Sequence, residues 1–587
     1  MSRLSRSSPV SVELIRWIDS NQATPLDPRT VPGASTHERH RLATLGALAR
    51  HLAEDAVNEW PNSLRRWAGK ADLPVPETLV RDCREAILRS DSDLLADTYE
   101  QLVSGRNRRL LGTFFTPPSI VTYMIAQANS MGIGAPAHVV DPGSGVGAFT
   151  TAIHATWPDA TIHSVDLNVV TLGLLATRVA VEQRSNPTEG QAKNIQLVHN
   201  DYLAWLKQVW PKLSGPRLII GNPPYTRHQE MTENAKAAGR AAAGNLISSG
   251  LAGLSAYFLA ASINSLKSSD SLVLLLPGSW LETRYGRELR EWLWHSRRRR
   301  IELDLFPSQV EVFPGTQVTA MVLSLGPERR ISQPFIVRSV TLSAEPKPRV
   351  TRLSEKRPTR DGVCPMTFTR FVRTPTRPSS SRQINLGSVA KIRRGVATGA
   401  NNFFFLSDSR RQEANLSAQF LRPALVKASH CKGAILTIEE HRKIGAEDIP
   451  RWLLDLNNWD RSDSDQELLS YLLRGKRDKV HQTYLAKKRR NWDTVENVQA
   501  PHIFIAPVGK AIHRVIVNAV GAVSSNNLYG IYLFETAPWD ARTLATWLSG
   551  AHGQDALRAL SREYQGGSSK IEPKSLRFLE VPETLLE

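Results

Sequence analysis

Between residues 109 and 345, short apolar runs alternate with helical stretches, and this alternation restricts the fold more than any other feature of the chain. The runs are His138-Val139-Val140, Thr161 to Val165, Ile195 to Val198, Leu218-Ile219-Ile220 and Leu272 to Leu276. Continuous apolar runs of this length suit strands buried on both faces, while Val170 to Glu182 and Ser255 to Leu266 carry helical spacing. The pattern predicts an α/β domain with a mostly parallel sheet covered on both sides. A later pair, Arg300 to Phe306 and Gln317 to Leu325, is expected to close one edge as a hairpin.

The flanks read differently. Residues 1–108 are expected to be helical, with Leu42, Leu45, Leu48, Ala49 and Leu52 recurring at helical spacing, as do Leu94, Leu95, Tyr99 and Leu102. No catalytic constellation stands out there, and packing against the catalytic core or a partner is the expected role. Residues 346–384 are rich in Pro, Arg, Ser and Thr and read as a basic linker. Residues 385–587 return to a globular composition of mixed strand and helix. Across 587 residues, 74 Lys and Arg stand against 56 Asp and Glu, and the resulting +18 favours a polyanionic partner such as nucleic acid. Three widely spaced cysteines, Cys83, Cys364 and Cys431, form no metal-ligand pattern. They suit a reducing compartment, and no metal is expected. With no signal-like or membrane-spanning stretch, a cytoplasmic protein is expected.

Several of the apolar runs end in residues that carry chemistry. After Leu218-Ile219-Ile220-Gly221 comes Asn222-Pro223-Pro224-Tyr225. Prolines lack N–H donors and cannot continue a ladder, so they fix a carboxamide and a ring at the strand's carboxyl end, where open α/β sheets place their sites. The Asn222 amide oxygen and the Pro223 carbonyl can each accept one hydrogen of a planar amine while Tyr225 stacks on its ring. The plainer reading is a strand end, a Pro-Pro turn and a half-buried tyrosine. Val140-Asp141 leads into the glycine turn Gly143-Ser144-Gly145-Val146-Gly147, which allows close backbone approach to a ligand. Asp166 ends the next strand, where a carboxylate can accept from both ribose hydroxyls of a nucleoside cofactor. Asn200 and Asp201 end the third strand and can accept from an adenine amine; either aspartate can equally be a helix cap. Thr116-Pro117-Pro118 precedes an amphipathic helix, capping it and offering first-turn N–H groups to a carboxylate.

In this order the segments resemble the γ-type amino (N6-adenine) DNA methyltransferases of restriction-modification systems, the TaqI- and Eco57I-like methylases. The matching segments are Gly112 to Pro118 (GTFFTPP), Asp141 to Gly147 (DPGSGVG) and Asn222 to Tyr225 (NPPY). They continue through Leu254 to Phe258, Leu275 to Leu281 and Glu311 to Gly315 (EVFPG). The family's GxYYTP-like segment has tyrosines where this chain has Phe114 and Phe115. In the C-terminal region, Arg393 to Phe403 (RRGVATGANNF), Phe420 to Pro423 and Lys570 to Pro573 extend the likeness to residues 95–587.

The resemblance implies a Rossmann-like class I methyltransferase core, S-adenosyl-L-methionine as cofactor and a C-terminal recognition domain on double-stranded DNA. It places Asn222, Pro223, Pro224 and Tyr225 at the reacting amine. Thr116, Pro117, Asp141, Gly143, Gly145, Asp166 and Asp201 fall around the cofactor. Phe313 falls against a flipped adenine, and Arg394, Thr398 and Asn401 at the DNA. A separate endonuclease or defence subunit is the implied partner. The basic clusters Arg297 to Arg300 and Lys487 to Arg490 are candidate phosphate contacts. An RNA or protein-glutamine amino-methyltransferase, or a non-catalytic DNA-binding subunit that kept the fold, share many of these features.

Overall fold

The structure, a computed structural model, describes residues 9–21, 23–89, 93–110, 115–185, 194–306, 310, 312–313, 319–343, 349–360, 362–365, 368, 383–462, 465–509, 512–564 and 568–585. Expectations on Gly112 to Phe114, Glu311, Pro314 and Gly315, and on most of 361–382, lie outside these residues. The chain divides into two compact units, Met1–Val372 and Arg373–Glu587.

The first unit opens with helices α1 (Pro9–Ser20), α2 (Thr36–Ala53), α3 (Asn62–Ala68), α4 (Glu77–Leu88), α5 (Leu94–Leu102) and α6 (Gly105–Leu110). There follow α7 (Pro118–Ser130), β1 (His138–Pro142), α8 (Ala148–Thr156), β2 (Thr161–Asp166), α9 (Val169–Ser185) and β3 (Ile195–His199). Next come α10 (Tyr202–Gln208), β4 (Arg217–Gly221), α11 (Glu233–Ala243), α12 (Leu254–Ser265), β5 (Ser271–Pro277) and α13 (Arg287–His295). Strands β6 (Arg299–Leu305), β7 (Ala320–Glu328), β8 (Phe335–Ser343) and β9 (Arg349–Lys356) complete the unit.

The nine strands form one sheet in the order β3-β2-β1-β4-β5-β7-β6-β8-β9. Strands β3 to β5 pair in parallel, and β7 enters antiparallel between β5 and β6. Because side chains alternate, each central strand feeds two cores. Val139, Ile162, Leu218, Ile220, Val273 and Leu275 pack with α7 and α8. Val140, Val165, Ile219, Leu272, Leu274 and Leu276 pack with α10 and α12. Leu218, Ile219 and Ile220 are fully buried, each burial contributing about 1.5–3 kcal/mol.

Two expectations change here. The β6–β7 pair is antiparallel as expected but does not close the edge, because β8 and β9 extend the sheet beyond it. The stretch read as the start of a linker forms β9, whose residues are nearly all exposed and charged or polar; such a composition suits an edge strand that resists further pairing. Beneath this edge Arg338 pairs with Glu302, Asp304 and Glu355, and Tyr123 donates to Asp304 at 2.8 Å. In the cluster Arg297 to Arg300, read as candidate phosphate contacts, three of the four guanidiniums are engaged within the fold, while Arg298 is largely exposed beside Glu328. Arg299 is buried and donates to the carbonyls of Asp270, Gly326 and Lys267, Arg297 donates to the Arg360 carbonyl, and Arg300 pairs with Glu302.

The N-terminal helices share one core with α9. Trp67 is its keystone: its indole N–H donates to the Leu42 carbonyl at 3.0 Å, and its ring lies on Gly173. A Cβ at Gly173 would stand 2.2 Å from that ring, so only glycine admits it.

The second unit is mixed α/β. Its five-stranded sheet runs Ala390–Arg394, Tyr529–Leu533, Ile503–Ile505, Val515–Asn518, Ile435–Leu436. Helices Ala541–Ser549 and Ala551–Leu560 cover its core.

Candidate active site

The carboxyl ends of β1, β2, β3 and β4 open onto one cavity of about 1290 Å³. Of the expected cofactor residues, Thr116, Gly143, Gly145, Asp166 and Asp201 line it, and Asn222 and Pro224 reach it from the strand β4 end. Pro117, Asp141, Pro223, Tyr225 and Phe313 are not among the lining residues.

The glycine turn needs its glycines. Gly143, Gly145 and Gly147 all have positive φ, and a Cβ on Gly147 would stand 2.2 Å from Leu175 Cδ1. Gly145 N–H donates to Asp166 Oδ2 and Asn168 N–H to Asp166 Oδ1, both at 2.7 Å. Burial pushes the Asp166 carboxyl above the usual range, opposed by those two N–H donors. Asp141 lies under the turn, 1 % exposed, accepting from Thr150 at 2.9 Å. It lies behind the turn and is not among the residues lining the cavity, and burial raises its pKa to about 7. Asp201 caps α10 through the Ala204 N–H at 2.9 Å while its residue remains on the cavity wall.

Thr116 does not cap α7, whose N-cap is Pro117 with no side-chain bond. Its hydroxyl instead accepts from Asn222 Nδ2 at 3.1 Å, across 106 residues of chain. That bond fixes the orientation of the carboxamide and joins two motifs that the sequence presents separately. Gly143 also meets the other motif, since a Cβ there would stand 3.4 Å from Pro224 Cδ.

Strand β6 runs parallel to β5, so the connection from β6 to β7 starts at the same sheet edge as Asn222. This topology brings Phe313 to Tyr225. The rings meet edge to face with centroids 5.7 Å apart, and both are buried.

The far wall comes from the N-terminal helical region, including Thr30, Val31, Arg66 and Trp67. Sequence reasoning missed this, because a tryptophan at helical spacing is an ordinary core residue and nothing local points it at a cavity.

In the second unit, Arg394 is half exposed, 3.9 Å from Glu572, and its guanidinium lies over Tyr529. Arg393, Arg394, Glu572, Lys574 and Arg577 line a cavity of about 750 Å³, so the Arg393 and Lys570 segments converge. Thr398 is 1 % exposed and donates to Asn401 Oδ1 at 2.6 Å, so these two shape their loop. Arg489 holds the same loop, donating to the carbonyls of Ala397 and Thr398, whereas Lys487, Lys488 and Arg490 are exposed.

Two family models match the chain: the Eco57I restriction-modification methylase over residues 183–313, and the C-terminal domain of Type II methyltransferase M.Eco57I over residues 374–587. The chain belongs to the Eco57I-type methylase family. It is 27 % identical over 485 residues to the Type II methyltransferase M.XamI of Xanthomonas campestris pv. amaranthicola, covering 80 % of this chain and 85 % of that one. It is 21 % identical over 501 residues to M.AccI of Acinetobacter calcoaceticus, covering 81 % and 86 %. In fold it is similar to the Type IIL restriction-modification enzyme MmeI, solved in complex with DNA, with TM-score 0.58, 12 % identity and coverage of 98 % and 85 %. This Eco57I-type chain is therefore a DNA methyltransferase of restriction-modification type with a Rossmann-like core. Methylases of the family take their methyl group from S-adenosyl-L-methionine. The cavity fits such a donor: its turn carries three positive-φ glycines, Asp166 faces it, and Ser144 Oγ, buried on its wall, has no hydrogen-bond partner among the described residues. Among the described residues no helix is long and apolar enough to cross a membrane.

Proposed function

We propose that this methylase transfers a methyl group to the N6 amine of an adenine flipped out of duplex DNA. The observation that carries the reading is the Asn222 carboxamide, tied to Thr116 on the wall of the donor cavity. Nδ2 is engaged by Thr116, and the amide oxygen is the end assigned as acceptor for an amine. The donor supplies an electrophilic methyl on a sulfonium. Asp166 would hold the ribose hydroxyls of the donor, Asp201 its adenine amine, and the backbone at Thr116 its carboxylate, all three residues lining the cavity.

An exocyclic adenine nitrogen is a poor nucleophile, because its lone pair is delocalised into the ring. Asn222 Oδ1 and the Pro223 carbonyl each accept one of its hydrogens, biasing the nitrogen toward tetrahedral geometry and aiming the lone pair. Alignment of this kind is worth up to about 7–11 kcal/mol in ideal intramolecular cases. The amine needs no base beforehand, since it becomes strongly acidic once methylated. Flipping costs roughly a few kcal/mol, and stacking on Tyr225 and Phe313 returns about 1–3 kcal/mol per base. The incoming base replaces the Tyr225–Phe313 edge contact. Arg394 and its neighbours in the second unit supply cationic contacts to the duplex, and Thr398 and Asn401 set the shape of the loop that follows. Duplex DNA is the favoured carrier because of the +18 charge and the DNA-bound relative MmeI.

The test uses Asn222→Ala with unmodified phage DNA and radiolabelled donor. Transfer is expected to vanish while calorimetric donor binding persists, and nucleoside analysis of the wild-type product should show N6-methyladenine. Retained turnover in the variant, or a methylated cytosine as product, overturns the reading.

A further inference from the structure

Tyr99 on α5 is fully buried in the core shared by the N-terminal helices and α9. Its hydroxyl accepts from Asn168 Nδ2 at 2.9 Å. Asn168 in turn gives its backbone N–H to Asp166 Oδ1, and its own Oδ1 accepts from Val170 N–H at 3.0 Å, at the start of α9. On the other side, the Tyr99 ring meets Phe115 edge to face with centroids 5.8 Å apart. Phe115 stands against the glycine turn: a Cβ on Gly145 would lie 3.6 Å from Phe115 Cε1. Gly145 closes the loop by donating to Asp166 Oδ2. Contacts therefore run in a ring, from Tyr99 through Asn168, Asp166, Gly145 and Phe115 back to Tyr99.

We propose that Tyr99 is a positioning residue for the methyl donor, holding Asn168 with its hydroxyl and Phe115 with its ring. One side chain of the N-terminal helical region thereby sets both flanks of the glycine turn. The proposal rests on the reading of this cavity as the donor site. Tyr99 touches neither donor nor DNA. Burial holds its phenol above the usual range, so it stays neutral and takes no part in proton transfer. Asp166 owes part of its aim to the Asn168 N–H, and the Asn168 carboxamide is fixed at Nδ2 by Tyr99 and at Oδ1 by Val170. Phe115 precedes Thr116, which orients Asn222, so displacement of the Phe115 ring propagates to the amine clamp as well.

Tyr99→Phe keeps the ring and its contact with Phe115 while removing only the hydroxyl. Loss of one hydrogen bond of this kind should weaken S-adenosyl-L-methionine and S-adenosyl-L-homocysteine binding about 3- to 10-fold by calorimetry. The donor KM should rise equally, with kcat and the KM for DNA unchanged. Tyr99→Leu, which also loses the ring contact, should weaken donor binding further and lower kcat. Leu79→Ala is the control: Leu79 lies in the same apolar core but off the cavity, so it should lower the unfolding midpoint and leave donor affinity intact. In the double variant Tyr99→Phe with Asn168→Ala, the effects should be less than additive, because both break one path. Unchanged donor affinity in Tyr99→Phe, an equal loss in Leu79→Ala, or full additivity with Asn168→Ala each overturns the proposal alone. A wild-type protein that binds neither compound overturns the donor-site reading, and this proposal with it.

Discussion

Replacing Thr116 by valine separates two roles that the site allows for it. Valine keeps the shape of threonine, which is 8 % exposed, and removes only the oxygen that accepts from Asn222 Nδ2 at 3.1 Å. If that bond orients the carboxamide, its loss costs about 0.5–1.5 kcal/mol of the preference that presents oxygen to the amine. At 1.36 kcal/mol per factor of ten, kcat should fall about 2- to 13-fold. The donor KM should not move, because the donor loses no contact. Thr116→Ser, which retains the hydroxyl, should stay near the wild-type rate. The assay is initial-rate tritium transfer from labelled donor to unmodified duplex DNA, with the donor varied at saturating DNA. An unchanged kcat with a raised donor KM would refute the reasoning and return Thr116 to a direct donor contact.

Three further expectations follow from buried geometry. Gly147→Ala combines a left-handed φ of 89° with a Cβ driven into Leu175, at about 1–2 kcal/mol for the first and 1–3 for the second; urea unfolding should show a loss of about 2–5 kcal/mol. Arg338→Met removes the central cation between the fully buried Glu302 and Asp304, leaving them only Arg300 and Tyr123, and should cost about 3–5 kcal/mol, whereas Arg357→Met at the exposed end of the network should be near neutral on the same titration. The raised pKa of Asp141, about 7 against an ordinary 3.8, means the folded state holds a proton that the unfolded state has lost. Stability from this group is therefore greatest below pH 4 and falls as pH rises toward and through 7; Asp141→Asn should flatten that part of the stability–pH curve, and an unaltered slope would count against it.

The central sheet was legible because its strands are continuous apolar runs, a pattern that leaves few alternatives to a doubly covered parallel sheet. Strand β9 was not, because Arg349 to Lys356 has only two apolar residues, Val350 and Leu353, and no alternation, and its place comes from ladder bonds to β8. Basic runs misled in a similar way. Nothing in the letters at Arg297 to Arg300 distinguishes a guanidinium bound to phosphate from one bound to its own backbone carbonyls. At the site, Asn222, Asp166 and the glycine turn were visible as strand-end residues. The Thr116–Asn222 bond, the Tyr99–Asn168 bond and the Trp67 wall were invisible, since each joins segments far apart in the chain through side chains that also serve as ordinary core or cap residues.

The shared core of the N-terminal helices and α9 bears on how the chain is made. A ribosome releases α2 well before α9, whose last residue is Ser185, and until then Leu42, Leu45 and Trp67 lack the surface that covers them in the folded protein. At ordinary elongation rates that interval is on the order of ten seconds. During it the nascent segment is a set of amphipathic helices with open apolar faces, a natural client for chaperones. The same dependence makes the first hundred residues poor material for a free-standing fragment, while a gene split between α6 and α7 leaves two pieces with complementary faces that can reassemble.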